Sequence, residues 1–373
     1  MSKYRVLYID DEKDDLTQPI RKKLEAKGSL EVVLSKPKSF EDQIDRLQEE
    51  IDGCVALILD LQLNGPQENV ANGKGDVFQV KYQAPPLAQM IRTYATEGKL
   101  PDVPIILCST EDKIQISFSR DFTSHDLFDW TFLKDDINEE TIDKIVSLIN
   151  GYRHLATNIK DFNKFLDRNY SEIDERILSR FVTEEDPPIH EVARVVFKDI
   201  VQPTGVLINE LTLAARLGVD IEESGESWMK LKDSFFKTAR YHGIYHESWV
   251  RWWNDKVLDI FEDITNDNLA SLDAKSRVSL LVENTGIDGL IAAKPIKLFE
   301  SSVFWNICEV TEKPLDPFEG FKISGKEEPK PWQDYSYVSL FAVVSEPDLI
   351  SKKGIKIHPS DNGRLVAARK KID

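Results

Sequence analysis

Five polar residues in this 373-residue chain stand where chemistry is done in α/β proteins, directly after short apolar runs. Asp10 and Asp11 follow Val6-Leu7-Tyr8-Ile9, Asp60 ends the run from Val55 to Leu59, Ser109 follows Cys108, and Lys134 follows Leu133. Transfer of a phosphoryl group to a carboxylate requires a nucleophilic oxygen, a divalent metal, and donors or cations for the equatorial oxygens. If the strands ending in Asp10-Asp11 and in Asp60 are neighbours, three carboxylates gather within a few ångströms. Like charges that close repel one another unless a hard cation such as Mg²⁺ lies among them. Ser109 can donate its hydroxyl to a phosphoryl oxygen, and Lys134 can pair with another as a point charge.

The elements that must position these groups alternate along the first third of the chain. Apolar runs at 6–9, 31–34, 55–59, 103–108 and 130–133 read as strands. Between them lie helical patterns: one over about 14–27 stopped by Gly28, and one opened by the Ser39-Phe40-Glu41-Asp42 capping signal with Phe40, Ile44, Leu47 and Ile51 at helical spacing. Continuous apolar strands alternating with amphipathic helices imply an α/β fold, a five-stranded parallel doubly wound sheet covered on both faces. Sites in such sheets lie at the carboxyl ends of the strands, where all five residues fall.

That ordered set, Asp10-Asp11, Asp60, Ser109 and Lys134 with each at a strand end, resembles the response-regulator receiver domain with its CheY-like fold, over residues 1 to about 150. The resemblance implies that Asp60 is the phosphoacceptor, that Asp11 and Asp60 ligate Mg²⁺ directly, and that Asp10 is a supporting acid. It also implies a further ligand in the Gln62 main-chain carbonyl, a switch role for the Ser109 hydroxyl, and the family's lysine in Lys134. The partner it implies is a histidine kinase as phosphoryl donor. Departures from the family pattern are Asp135 rather than proline after Lys134, Thr131 where a switching aromatic is common, and the bulkier Thr110 after Ser109. The largest departure is an insertion from 62 to about 83, long for a strand-to-helix loop. It is either a lid, with Gly73, Lys74 and Gly75 as a phosphate contact, or a solvated loop. Gly-Lys-Gly without a flanking strand and helix is not a P-loop.

Beyond residue 150 the texture changes. Apolar residues from Leu155 to Phe181 step by three or four and predict one long amphipathic helix, broken by Pro187-Pro188. Further helices are predicted over about 189–200, 206–217, 228–241 and 248–264, and strand-like runs over 303–310 and 337–344. The division expected is a receiver at 1–150, a helical module at 151–293 and a small α+β or β-rich piece at 294–373. Leu213 to Val219 resembles the first half of a helix-turn-helix, but the stretch after it carries four acids and no base, the wrong sign for a phosphate groove. His242 and His246 are four apart, a metal-binding spacing on a helix that Gly243 weakens. The Trp249, Trp252, Trp253 and Val257 run reads as core packing.

Composition bounds the partners. A formal net charge of −17 opposes binding to nucleic acid. No apolar run reaches membrane-spanning length, no leader is evident, and three scattered cysteines offer neither a disulfide framework nor a metal knuckle, so a cytoplasmic protein is expected. The reading is a two-component response regulator acting through protein interaction, on a second regulator or effector, or as a phosphate sink. As a whole it also looks like the phosphate-buffering regulator of anti-phage two-component systems. The alternatives are a receiver-gated effector enzyme and, third, a DNA-binding regulator. Oligomeric state is left open.

Overall fold

The computed structural model describes residues 3–51, 53–65, 67–68, 77–114, 126–183, 186–325 and 327–371. Its chain divides into two compact units. The first is residues 1–197 together with Gly243–Trp249, and the second is Lys198–His242 with Val250–Asp373.

The first unit is built on five strands, β1 (Tyr4–Ile9), β2 (Leu30–Ser35), β3 (Ala56–Asp60), β4 (Ile105–Ser109) and β5 (Trp130–Leu133). They pair in the order β2-β1-β3-β4-β5, every pair parallel. This is the doubly wound parallel sheet expected from the apolar runs. All five residues of β3 are buried, as are all five of β4. Each fully buried leucine or isoleucine there contributes about 1.5–3 kcal/mol relative to exposure.

The helices begin and end where side chains and backbone geometry dictate. Helix α1 (Asp14–Leu24) ends three residues short of the expected position, and Gly28 follows in the left-handed region at φ 74°. Helix α2 (Phe40–Glu50) is capped by the Ser39 side chain, which accepts from the Asp42 amide as the capping signal predicts. Helix α3 is Ala84–Thr96, and its Leu87, Ala88 and Ile91 are buried in the core beside β3 and β4. Helix α4 (Glu139–Asn158) opens with a reciprocal cap between Asn138 and Thr141 and runs without a break through residue 150.

The single long helix expected from Leu155 to Phe181 is not formed. After α4 the chain makes only Phe162–Leu166, two 3₁₀ turns and Ser179–Thr183. Asp161 accepts from the Lys164 amide and restarts the helix, then Asp167 enters the left-handed region at φ 57° and ends it. Local caps override the apolar spacing. The Gly243–Trp249 segment packs against this unit. Its Ile244 amide donates to the Phe165 carbonyl at 2.7 Å, and Trp249 meets Trp130 edge-to-face at 6.1 Å.

The second unit combines helices, among them Glu210–Leu217, Glu226–Ser234, Asn254–Thr265 and Ala274–Thr285, with two-stranded antiparallel ribbons. The expected break near residue 294 lies inside it. Trp252, Val257 and Phe261 share one core with Trp228, as expected of packing residues, but Trp252–Trp253 is a strand paired with Leu207–Ile208 and the helix expected from about 248 begins only at Asn254. The strand expected over 337–344 is half correct. Tyr337–Val338 pairs with Phe321–Lys322, but Leu340–Ser345 is a helix capped by Ser339. None of the three cysteines is in a disulfide and all three are buried, and no helix among the described residues is long and apolar enough to cross a membrane.

Candidate functional site

Register brings the expected residues to one edge of the sheet. Ile9 lies beside Leu59, so Asp10 emerges level with Asp60. Asp60 lies beside Cys108, placing Ser109 one step further out, and Ser109 lies beside Leu133, after which comes Lys134. Because strands of a parallel sheet finish at the same end, five residues distant in sequence converge.

Asp10, Asp11 and Asp60 offer carboxylate oxygens all within 4.8 Å of one another, the one such cluster among the described residues. Lys134 Nζ lies 2.9 Å from Asp10 Oδ2, 3.0 Å from Glu12 Oε2 and 3.1 Å from Asp60 Oδ1. The last contact is an ion pair by distance only, since Asp60 Oδ1 is buried with no hydrogen-bond donor aligned on it. The other Asp60 oxygen, Oδ2, accepts from the Gln62 amide at 3.1 Å and has Lys113 Nζ at 3.9 Å. Asp10 accepts from the Tyr8 hydroxyl and from the Glu12 amide.

Burial is the dominant electrostatic influence. It pushes the Asp60 carboxyl up to about 6, against the pull of Lys134, with the Asp10 charge adding to the rise. Burial also works against the Lys134 ammonium, but the Asp60 and Asp10 carboxylates outweigh it and hold that group above its ordinary range. Asp11 is raised chiefly by burial, opposed by a hydrogen bond from the Gly65 amide. Four carboxylates (Asp10, Asp11, Glu12 and Asp60) against two ammoniums (Lys113 and Lys134) leave two negative charges uncompensated, the charge of one divalent cation. Hard oxygen donors, the uncompensated charge and an Asp60 oxygen with no aligned donor all fit Mg²⁺.

Ser109 is fully buried, and its hydroxyl has no hydrogen-bond partner among the described residues. A buried hydroxyl without a partner costs about 1–3 kcal/mol, so its retention at a strand end beside the acid cluster points to a use there.

The insertion after β3 is anchored at its base. Leu61, Leu63, Val80 and Tyr82 belong to the buried core, and Tyr82 donates to the Lys38 carbonyl at 2.8 Å. Gln67–Glu68 and Val77–Phe78 pair as a short antiparallel ribbon. Gly65 approaches Asp11 so closely that a β-carbon there would strike the carboxylate. Gly73, Lys74 and Gly75 lie outside the described residues. The Gln62 main-chain amide donates to Asp60, a contact that does not bear on the metal-ligand role expected of its carbonyl.

Two site residues escaped the sequence reading. Glu12 could have been found as the third acid of the Asp10-Asp11-Glu12 run, and Lys113 as the residue one helical turn after Ser109. Elsewhere, His246 sits in a turn with Nδ1 2.8 Å from the Gly243 carbonyl, so the helix needed for a His242–His246 metal pair is absent. Arg216 of the helix-turn-helix-like stretch is fully buried, its guanidinium bonded to Asp334, Asn254 and the Trp305 carbonyl. The stretch after it forms only a four-residue helix, Ile221–Ser224.

In comparisons with known proteins, no family model and no curated relative matches this sequence.

Proposed function

We propose that this protein is a two-component response regulator whose first unit accepts a phosphoryl group on Asp60. The observation that carries the reading is the convergence at one sheet edge of three carboxylates, a lysine touching two of them, and a buried hydroxyl with no partner. This set is the one the receiver resemblance requires.

In the reaction, a carboxylate oxygen of Asp60 attacks phosphorus, the new O–P bond forms, and the bond from phosphorus to the donor breaks with its electron pair leaving on the donor. A histidine kinase's phosphoimidazole is the donor class this reading implies. Asp10, Asp11 and Asp60 would hold Mg²⁺, which supplies positive charge to the transferring group. Lys134 already sits against Asp60 and neutralises charge as it accumulates on the equatorial oxygens. The Ser109 hydroxyl donates to another of those oxygens once the product is in place. The Gln62 amide fixes the rotamer of the attacking carboxylate. Output runs through protein interaction, on a second regulator or effector, or the receiver serves as a phosphate sink. The buried Arg216 and the net charge of −17 speak against DNA as target.

The test is incubation of wild type and Asp60→Ala with a small phosphodonor and Mg²⁺, followed by intact mass. Wild type should gain about 80 Da in an acid-stable, base-labile adduct at one site per chain, and Asp60→Ala should gain nothing. A wild-type chain that stays unmodified with every donor would refute the reading.

A further inference from the structure

A phosphoryl group on Asp60 would present three non-bridging oxygens, and the partners considered so far are Lys134, Ser109 and the Mg²⁺ that the acid cluster would hold. Lys113 stands on the other side. Residues 111–114 are helical, and this turn carries the Lys113 ammonium to 3.9 Å from Asp60 Oδ2 and 3.7 Å from Glu12 Oε1. Lys134 contacts Asp60 Oδ1, so the two oxygens of the acceptor each face a different ammonium.

We propose that Lys113 is a second phosphoryl-binding cation, which leaves Glu12 to grip an oxygen of the group carried by Asp60. This rests on the phosphoacceptor reading and adds a ligand to it.

Three features support the assignment. At 3.9 Å the ammonium is close enough for attraction but too far for a hydrogen bond, so the present contact is incomplete. Phosphorylation extends the acceptor by a phosphorus and three oxygens, which brings acceptor atoms toward an ammonium held at that separation. Second, the Lys113 side chain is about one quarter exposed, which leaves its flexible stem room to move. Third, Glu12 is shared with Lys134 at 3.0 Å, so releasing Lys113 does not leave Glu12 without a cation. The phosphorylated acceptor carries one more negative charge than the free one and is the better partner.

The test uses the full chain and beryllofluoride, a phosphoryl mimic, titrated at saturating Mg²⁺ so that changes in metal affinity do not enter. Wild type, Lys113→Gln, Lys113→Arg and Glu12→Gln are compared, with thermal melts confirming that each folds. A charge-assisted contact at this exposure predicts about tenfold weaker binding for Lys113→Gln. Binding should be largely restored in Lys113→Arg. It should be tighter in Glu12→Gln, where Lys113 loses its resting partner. Equal affinity in wild type and Lys113→Gln would overturn the assignment while leaving Asp60 as phosphoacceptor. Absence of any beryllofluoride binding to wild type would instead remove the reading beneath it, and the assignment with it.

Discussion

Asp60 is held in an environment that disfavours its own charge. It is fully buried, Asp10 lies beside it, and its carboxyl is pushed up to about 6 mainly by burial. An unfolded aspartate ionises near 3.8, so at neutral pH the metal-free fold bears the difference, on the order of 1–3 kcal/mol. Asp60→Asn keeps the shape and removes the charge, while Lys134 retains Asp10 and Glu12. In EDTA at pH 7 the variant should therefore unfold at higher urea concentration than wild type. Adding Mg²⁺ should stabilise wild type more than Asp60→Asn, narrowing or reversing that order, because the metal binds the native carboxylates. If the variant were less stable than wild type in EDTA, the acid cluster would not be strained in the way its burial indicates. The residues of this cluster were legible because each ends an apolar run, and parallel register does the rest. Lys113 and Glu12 stood at readable positions, but their roles were not legible, because a charge near the start of a helix looks the same whether it meets solvent or a partner across the sheet edge.

At the scale of elements, a buried polar knot joins the far end of the sheet to the helices beyond it. Arg92 on α3 pairs with Asp129 at 2.6 Å and with Asp102 at 3.3 Å, and Tyr152 on α4 donates to Asp129 at 2.7 Å. Asp102 also accepts from the His190 amide at 3.0 Å and contacts its ring at 2.8 Å, at the start of the helix Ile189–Val195. Burial pushes the Asp102 carboxyl up, but the His190 hydrogen bonds and the Arg92 charge outweigh it, so it lies below the ordinary carboxylate range. A lowered folded value means the stabilisation is complete above the unfolded value near 4 and is lost as pH falls through the folded one. Asp102→Asn should therefore cost stability at pH 7 and flatten the acid limb of the stability profile below about pH 4. Urea midpoints measured across that range would show it, and an unchanged limb would mean that Asp102 is not a linkage site. None of this knot was legible in the sequence, since its five members sit on five separate segments. The same limit explains the helix wrongly read through 155–181. Apolar spacing reports which face is buried, but Asp161 and Asp167 decide where the helix starts and stops.

At the scale of the molecule, the first unit is not continuous in sequence, because Gly243–Trp249 completes it. The cause is visible in the packing. Gly151 on α4 has no side chain, and the Tyr245 ring occupies the space that a β-carbon would take. Trp249 packs against Phe197 at 4.8 Å and Trp130 at 6.1 Å, and Glu247 accepts from Ser147 at 3.0 Å. Pattern reading placed a receiver boundary at 150 because the strand-helix alternation stops there, and a seven-residue turn nearly a hundred positions later carries no periodic signal to attach it. A fragment spanning residues 1–197 should thus fold around the same sheet yet expose Trp130, Phe197 and the Gly151 face of α4. Its amide exchange should quicken along α4 and β5 relative to the full chain, while β1 and β3 stay protected. Gly151→Ala in the full chain should reproduce part of that effect, because displacing Tyr245 costs on the order of 1–3 kcal/mol in overpacking and lost contact. Exchange along α4 that is identical in fragment and full chain would show that the segment rests on the unit without stabilising it.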